Sequence, residues 1–380
     1  MSSFWKPDSR SAAQDAFQDD AGENGFVSQA AFFSPAHNRP LAQQRMLLPI
    51  YKHKKQILYA AEQYSVVVIV GETGSGKSTQ IPQYLVEAGG WADNDFSVVV
   101  TQPRRLAAMT LAQRVAQEVN TQVGETVGYT VRFDDQSSPY TKIKYVTDGM
   151  LLREATLSDP LLSNYSVVMV DEAHERNLNS DAVLGLLKKI RRKRKNNLRI
   201  IVCSATIDAP AFLNFFLNSK TESVGPGSSN QTHSRWEPST SSLYQSAELD
   251  EPYNRGTIIS VDGRQFSVDI LYLEQPAPDY IRQTVHTVFQ ICHTERKGGD
   301  ILCFFPSGEN IDSAIRLAEE ELEQAHNESL RLLLDFLPLY GTLPFHMQAR
   351  VFQPPSSSDR QKKQLRRVIF ATNIAETSVT

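Results

Sequence analysis

Two segments of this chain carry the residue types that phosphate chemistry needs. Gly71-Glu72-Thr73-Gly74-Ser75-Gly76-Lys77-Ser78 matches G-x-x-x-x-G-K-[ST]. An apolar run (66–70) precedes it and a helical pattern follows, the setting in which this pattern binds phosphate. Glycines let backbone N–H groups turn inward around phosphate oxygens, and a helix N-terminus adds its positive dipole end. Lys77 would then reach the β- and γ-phosphates, the Ser78 hydroxyl would ligate Mg²⁺, and Thr79 would continue the loop into its helix. Asp171-Glu172-Ala173-His174 follows a second apolar run (166–170). Asp171 at a strand tip can join the metal's shell, and Glu172 can orient an attacking water. His174 lies where it can couple the nucleotide to moving parts. In this order the two segments predict hydrolysis of a nucleoside triphosphate.

Weaker signals stand at other strand ends. Ser204-Ala205-Thr206 closes an apolar run and can bond the 171–174 segment through its hydroxyls. Thr101-Gln102-Pro103-Arg104-Arg105 is either a capping turn with solvated arginines or a place where arginines pair with nucleic-acid phosphates. Thr147-Asp148-Gly149 is a strand-to-helix turn whose hydroxyl and amides suit a further phosphate. Residues 188–195 hold seven basic side chains in eight positions. They read as a nuclear-import or RNA-binding patch, or as cations that complement the end of a helix.

The elements that must position these residues follow from periodicity. A helix is predicted over 41–63. Strands are predicted at 66–70, 97–101, 142–147, 166–170 and 199–204, with helices at 77–88, 106–119, 149–156 and 180–194 between them. The strands are continuous apolar runs, as in an α/β fold whose parallel sheet is covered by helices on both faces. Residues 219–256 are rich in Ser, Gly, Pro and Asn and read as a flexible insertion. Alternation resumes with strands at 266–273, 300–305, 336–340 and 367–371 and helices at 278–294 and 308–324. Residues 1–40 read as a disordered tail, 41–265 as a first domain containing the insertion, and 266–380 as a second domain with too few strands to equal the first.

Composition narrows the class. The 380 residues suit two domains of ordinary size, and 41% apolar with 22% charged residues suits a globular protein. A net charge of -4 means that a nucleic-acid partner needs a local basic surface. Cys203, Cys292 and Cys303 have no metal-ligand spacing and point to a reducing compartment. No apolar run approaches the roughly 20 residues of a membrane helix.

Read in order, these segments resemble the superfamily 2 helicases, specifically the DEAH-box RNA helicases. Residues 71–79 resemble motif I, 101–108 motif Ia, 147–151 motif Ib, 171–174 motif II, 204–206 motif III and 371–380 motif V. Gly128-Tyr129-Thr130-Val131-Arg132-Phe133-Asp134-Asp135 and the 339–344 stretch are also typical. The likeness covers about 42–218 and 257–380. The Phe4-Trp5-Lys6-Pro7 start, Gln43-Gln44-Arg45 and the 71–91 stretch look closest to a subgroup associated with catalytic-stage spliceosomes.

The resemblance implies two RecA-like domains, the second incomplete, with ATP and Mg²⁺ between them and single-stranded RNA across their top. It assigns Arg114 to stacking on adenine, and Arg104, Arg105, Thr147 and Thr372 to the RNA backbone. It assigns Ser204 and Thr206 to coupling. It implies a monomeric, nuclear ATP-dependent RNA helicase of pre-mRNA splicing, working with spliceosomal or activator proteins and no membrane. The chain departs from the pattern at 304–311, at Ser267 and in the long 219–256 insertion. It also stops after motif V, before the arginines of motif VI. Because such arginines are worth about 10³ to 10⁵ in rate, weak turnover is expected. A truncated, RNA- or spliceosome-binding regulatory protein is the alternative, and a P-loop ATPase acting on DNA or protein is a third reading.

Overall fold

The structure, a computed structural model, describes residues 4–5, 40–89, 97–194, 197–205, 208–217, 255–263, 268–294, 299–324, 334–352 and 366–376. They fall into two compact units, residues 40–263 and residues 4–5 with 268–376. The tail expected over 1–40 and the insertion expected over 219–256 lie almost wholly outside the described residues, as does the expected 265/266 boundary.

A two-residue strand, β1 (Phe4–Trp5), belongs to the smaller unit. The larger unit begins with α1 (Leu41–Leu47), a 3₁₀ turn (Pro49–His53) and α2 (Lys54–Gln63). The single helix predicted over 41–63 is therefore broken. Pro49 has no N–H to give, and it holds Leu48 in an extended conformation (φ -67°, ψ 139°). Alternation follows: β2 (Val66–Gly71), α3 (Lys77–Glu87), β3 (Ser97–Gln102) and α4 (Arg105–Glu118). Next come β4 (Val127–Val131), β5 (Asp134–Gln136), β6 (Ile143–Thr147) and α5 (Asp148–Leu157). The unit closes with β7 (Tyr165–Val170), α6 (Leu178–Lys193), β8 (Arg199–Ser204), α7 (Ala209–Leu217) and β9 (Gly256–Val261).

Eight strands form one sheet in the order β5-β4-β6-β3-β7-β8-β2-β9, and only β5 runs antiparallel to its neighbour. Side chains alternate across it. Val67, Ile69, Val167, Met169, Ile201 and Cys203 enter one core; Val66, Val68, Val168, Val170, Ile200 and Val202 enter the other. Burial on both faces is why these strands read as unbroken apolar runs. Because the strands are parallel, the C-terminal ends of β2, β3, β6, β7 and β8 all lie along one edge of the sheet.

The smaller unit contains β10 (Tyr272–Leu273), α8 (Tyr280–Thr294), β11 (Ile301–Phe304), α9 (Gly308–Gln324), β12 (Leu334–Leu339), α10 (Phe345–Arg350) and β13 (Arg366–Ala371). Three parallel strands are ordered β11-β13-β12, and β1 pairs antiparallel with β10. The eight-residue strand predicted over 266–273 is cut to Tyr272–Leu273 among the described residues. Val268, Ile270 and Leu271 in that run are exposed, so this apolar stretch does not enter a sheet core. The fold class is α/β, with a large, mostly parallel sheet in one unit and a smaller sheet in the other.

Candidate active site

The phosphate loop links β2 to α3. Gly74 and Gly76 have φ of 82° and 95°, a region that favours glycine. At Gly76 a side chain would also collide, because its Cβ would lie 2.9 Å from Leu48 Cδ1. The 3₁₀ turn before α2 braces the loop further, with the Ile50 N–H donating to the Ser75 carbonyl at 3.2 Å. Glu72, Thr73 and Gly74 are exposed, whereas Gly71, Ser75, Lys77 and Thr79 are buried. The Lys77 ammonium points into the loop, donating to the carbonyls of Gly71 (2.6 Å) and Glu72 (2.9 Å). Ser78 is half-buried in the first turn of α3, and its carbonyl accepts the Tyr145 hydroxyl at 2.8 Å.

Asp171 and Glu172 leave the tip of β7. Both are buried, and Glu172 takes a left-handed conformation (φ 50°) that turns the chain sharply there. One Asp171 oxygen accepts the Gln102 side-chain amide at 2.6 Å; the other accepts the Glu172 N–H at 3.0 Å. Gln102 is thus part of the site although its side chain signalled no chemistry. It ends β3, and the pairing of Thr101 with Val170 sets it beside Asp171. The donor set supplied by Asp171 and the Ser78 hydroxyl is hard oxygen, the kind that suits Mg²⁺, and N–H donors hold the Asp171 carboxylate ready for a cation.

His174 joins this segment to the end of β8. Its Nδ1 accepts the Ala205 N–H at 3.2 Å, which leaves the ring proton of a neutral imidazole on Nε2. Nε2 lies 3.6 Å from a Glu172 carboxylate oxygen. The link shown between the two segments therefore uses the Ala205 backbone. Ser204 is buried at the end of β8, and Thr206 lies outside the described residues.

The arginines cluster at the same sheet edge. Arg104 lies 3.7 Å from Glu175, one residue beyond His174. Arg105, Thr147, Gly149, Arg132 and Arg153 line a cavity of about 520 Å³. Arg132 and Arg153 were not singled out from the sequence as candidate contacts. Arg132 follows β4, so the hairpin brings it in, and Arg153 lies four residues after Gly149 on α5, on the same helical face. Arg114 stands on α4 with its side chain 38% exposed, its Nε donating to Glu118 at 2.7 Å. Thr372 belongs to the smaller unit, where it follows β13 and caps a 3₁₀ turn (Asn373–Ala375), and its N–H donates to the Leu339 carbonyl.

Residues 42–213 match the family model described as DEAD/DEAH box helicase. In this segment the chain is similar to DEAD/DEAH box helicases. The matched segment contains the phosphate loop, the 171–174 segment and the arginine-lined cavity. Over 378 residues the chain is 42% identical to a human protein named "Probable ATP-dependent RNA helicase DHX35", covering 99% of this chain and 48% of the relative. A Caenorhabditis elegans protein named as a DHX35 homolog is 44% identical over 349 residues, 90% of this chain and 42% of its own length. An Arabidopsis thaliana protein named "Pre-mRNA-splicing factor ATP-dependent RNA helicase DEAH10" is 41% identical over 348 residues, 90% of this chain and 46% of its own length. The chain spans about half the length of the curated relatives it matches. Among the described residues, no helix is long and apolar enough to cross a membrane.

Proposed function

We propose that this chain provides the ATP-hydrolysing part of an RNA helicase that remodels RNA or RNA–protein complexes during pre-mRNA splicing. The observation that carries this reading is the shared edge of the parallel sheet. It gathers the Lys77 loop, the Asp171–Glu172 tip and the arginine-lined cavity at the ends of neighbouring strands. Residues 71–79 cradle the triphosphate, with Lys77 neutralising phosphate charge and Arg114 stacking on the base. Ser78 and Asp171 hold Mg²⁺, which when bound offsets the phosphate charge. Glu172 orients the attacking water, and His174 with Ser204 and Thr206 transmits the outcome to neighbouring elements.

Arg104, Arg105 and Thr147 bind the sugar-phosphate backbone of single-stranded RNA from the larger unit, and Thr372 does so from the smaller. Backbone contacts of this kind set orientation without reading sequence. The RNA target is then chosen by spliceosomal partners or an activator protein. The splicing role and the nuclear location rest on the name of the Arabidopsis relative. We take the working form to be a monomer.

The test is ATP turnover by residues 1–380, with and without single-stranded RNA, in the wild type and in Glu172→Gln. The variant is expected to retain ATP binding and to lose at least about 10²-fold in turnover, the usual worth of a positioned base. Equal RNA-stimulated turnover in both proteins would overturn the assignment of Glu172. The wild-type rate also reads whether these residues by themselves turn over weakly. Stimulation by single-stranded DNA as strong as by RNA would overturn the RNA reading.

A further inference from the structure

Glu118, near the end of α4, is an acid with almost no access to water and an unusually full set of partners. Its side chain is 2% exposed. One oxygen accepts the Arg114 Nε–H at 2.7 Å. The other accepts the side-chain amides of Gln80 and Gln83, each at 2.8 Å, and lies 3.8 Å from Arg45 Nε. The amides are themselves fixed. Gln80 accepts Arg45 Nε at 2.8 Å, and Gln83 donates also to the Thr79 carbonyl at 2.7 Å. The carboxylate is thus clamped from α1 and from the first two turns of α3, the helix that begins at Lys77.

A clamp of this kind is more than is needed to join two helices. Burying a carboxylate is costly, and an apolar contact would join α3 to α4 at least as well. What an apolar pair cannot do is hold a guanidinium. An Nε–H bond lies in the plane of a guanidinium and does not use its flat faces, and the Arg114 side chain is 38% exposed. Gln80, which anchors Glu118, lies three residues after Lys77, a rise of about 4.5 Å along the helix. Through Glu118 and Gln80 the guanidinium is thus tied to the first turn of the helix that begins at Lys77.

We propose that Glu118 is a positioning residue that aims Arg114 at the base of the bound nucleotide, with Gln80 and Gln83 holding Glu118 in register with the phosphate loop. The proposal rests on the assignment of Arg114 to base stacking. It makes the base-dependent part of nucleotide binding sensitive to a residue that touches neither base nor phosphate. The phosphate-dependent part is left alone.

The experiment measures equilibrium binding of Mg²⁺–ATP and of Mg²⁺–tripolyphosphate, which has no base, to the full chain. Arg114→Ala is expected to weaken ATP about three- to tenfold, the range of a cation stacked on an aromatic face, and to leave tripolyphosphate unchanged. Glu118→Gln should do the same, and the double variant should be no worse than Arg114→Ala alone. If Arg114→Ala leaves ATP binding unchanged, the stacking assignment fails and the proposal falls with it. If Arg114→Ala weakens ATP but Glu118→Gln does not, only the proposal is overturned. Equal losses for ATP and tripolyphosphate in Glu118→Gln would make Glu118 a helix staple and overturn it too. Should Glu118→Gln lose its thermal unfolding transition, Gln83→Met removes one holder of Glu118 at nearly constant length. It should weaken ATP about twofold with tripolyphosphate unchanged, and no change in ATP binding would overturn the proposal.

Discussion

β7 and β11 are both parallel strands, yet only β7 is buried along its whole length. All six residues of β7 are inside, feeding two cores on opposite faces. In β11, Cys303 is buried while Leu302 and Phe304 are 46% and 54% exposed. β7 has a partner strand on each side; β11 pairs with β13 alone among the described strands. A strand packed above, below and on both edges has little freedom to shift, and Asp171 and Glu172 leave from such a strand. Asp171 and Glu172 are therefore placed by a tightly constrained strand, as a site demanding sub-ångström geometry requires.

Truncation tests this contrast most strongly. Ile201 in β8 is fully buried in the core of the large sheet. Ile201→Ala should cost about 2–5 kcal/mol, transfer and cavity terms together. Leu302→Ala on the exposed face of β11 should stay within about 1 kcal/mol, since half of that side chain is already in water. Chemical denaturation of the two variants measures both. Comparable losses would mean that the two sheets are equally constrained and would remove the contrast.

The same contrast explains what was legible in the sequence. The buried strands at 66–70, 97–101, 166–170 and 199–204 announce themselves as apolar runs, and each lies within one residue of its observed ends. The β4–β5 hairpin was not resolved as strands, because Gly128, Thr130, Asp134 and Asp135 dilute its apolar pattern. Candidate residues with a characteristic spacing, such as Lys77 and Asp171, could be named from it. Gln102 and Glu118 could not, because their roles come from register and from helix packing. The basic run at 188–195, which reads as either a binding patch or helix-end cations, falls largely on the structural side. Arg191 is buried, donating to the Ser65 hydroxyl and the Phe216 carbonyl. Arg194 donates to the carbonyls of Leu161, Leu162 and Tyr165, and Lys188 lies over the Phe215 ring at 4.4 Å. Much of what reads as a charge patch is therefore structural, with Lys189, Arg192 and Lys193 left on the surface.

A smaller effect sharpens the comparison at two glycines. A Cβ on Gly128 would lie 2.4 Å from the Gln136 carbonyl oxygen and 3.1 Å from Ser137 Cα. Both are backbone atoms of the paired strand and its continuation, so the hairpin must open. Gly128→Ala should cost about 1–3 kcal/mol, the range of overpacking. The nearest atoms to a Cβ on Gly308 in the smaller unit are those of the Tyr340 ring, at 3.2 Å. That ring can tilt, so Gly308→Ala should stay within about 0.5 kcal/mol. Thermal melts of the pair give the ordering; a larger loss at Gly308 would reverse it.

The gentlest probe is electrostatic and separates two acids by their surroundings. In the smaller unit Asp300 faces the Arg367 guanidinium. In the larger unit Asp148 is buried, accepting the Ser180 hydroxyl at 2.6 Å. Burial raises its pKa above the ordinary aspartate value of 3.8, and the nearby Glu175 and Asp171 push the same way, against partial relief from the Ser180 and Thr101 hydroxyls. The native chain thus holds this proton at pH values where the unfolded chain has released it. Its contribution to stability is complete below 3.8 and is lost as pH rises through the raised folded value. Asp148→Asn keeps an oxygen for Ser180 and has no proton to lose. It should flatten that part of the stability–pH curve, raising neutral-pH stability relative to the wild type. Denaturant midpoints measured from pH 4 to pH 8 check this, and parallel curves for the two proteins would place Asp148 in water-like surroundings and weaken the case for a tightly constrained sheet edge.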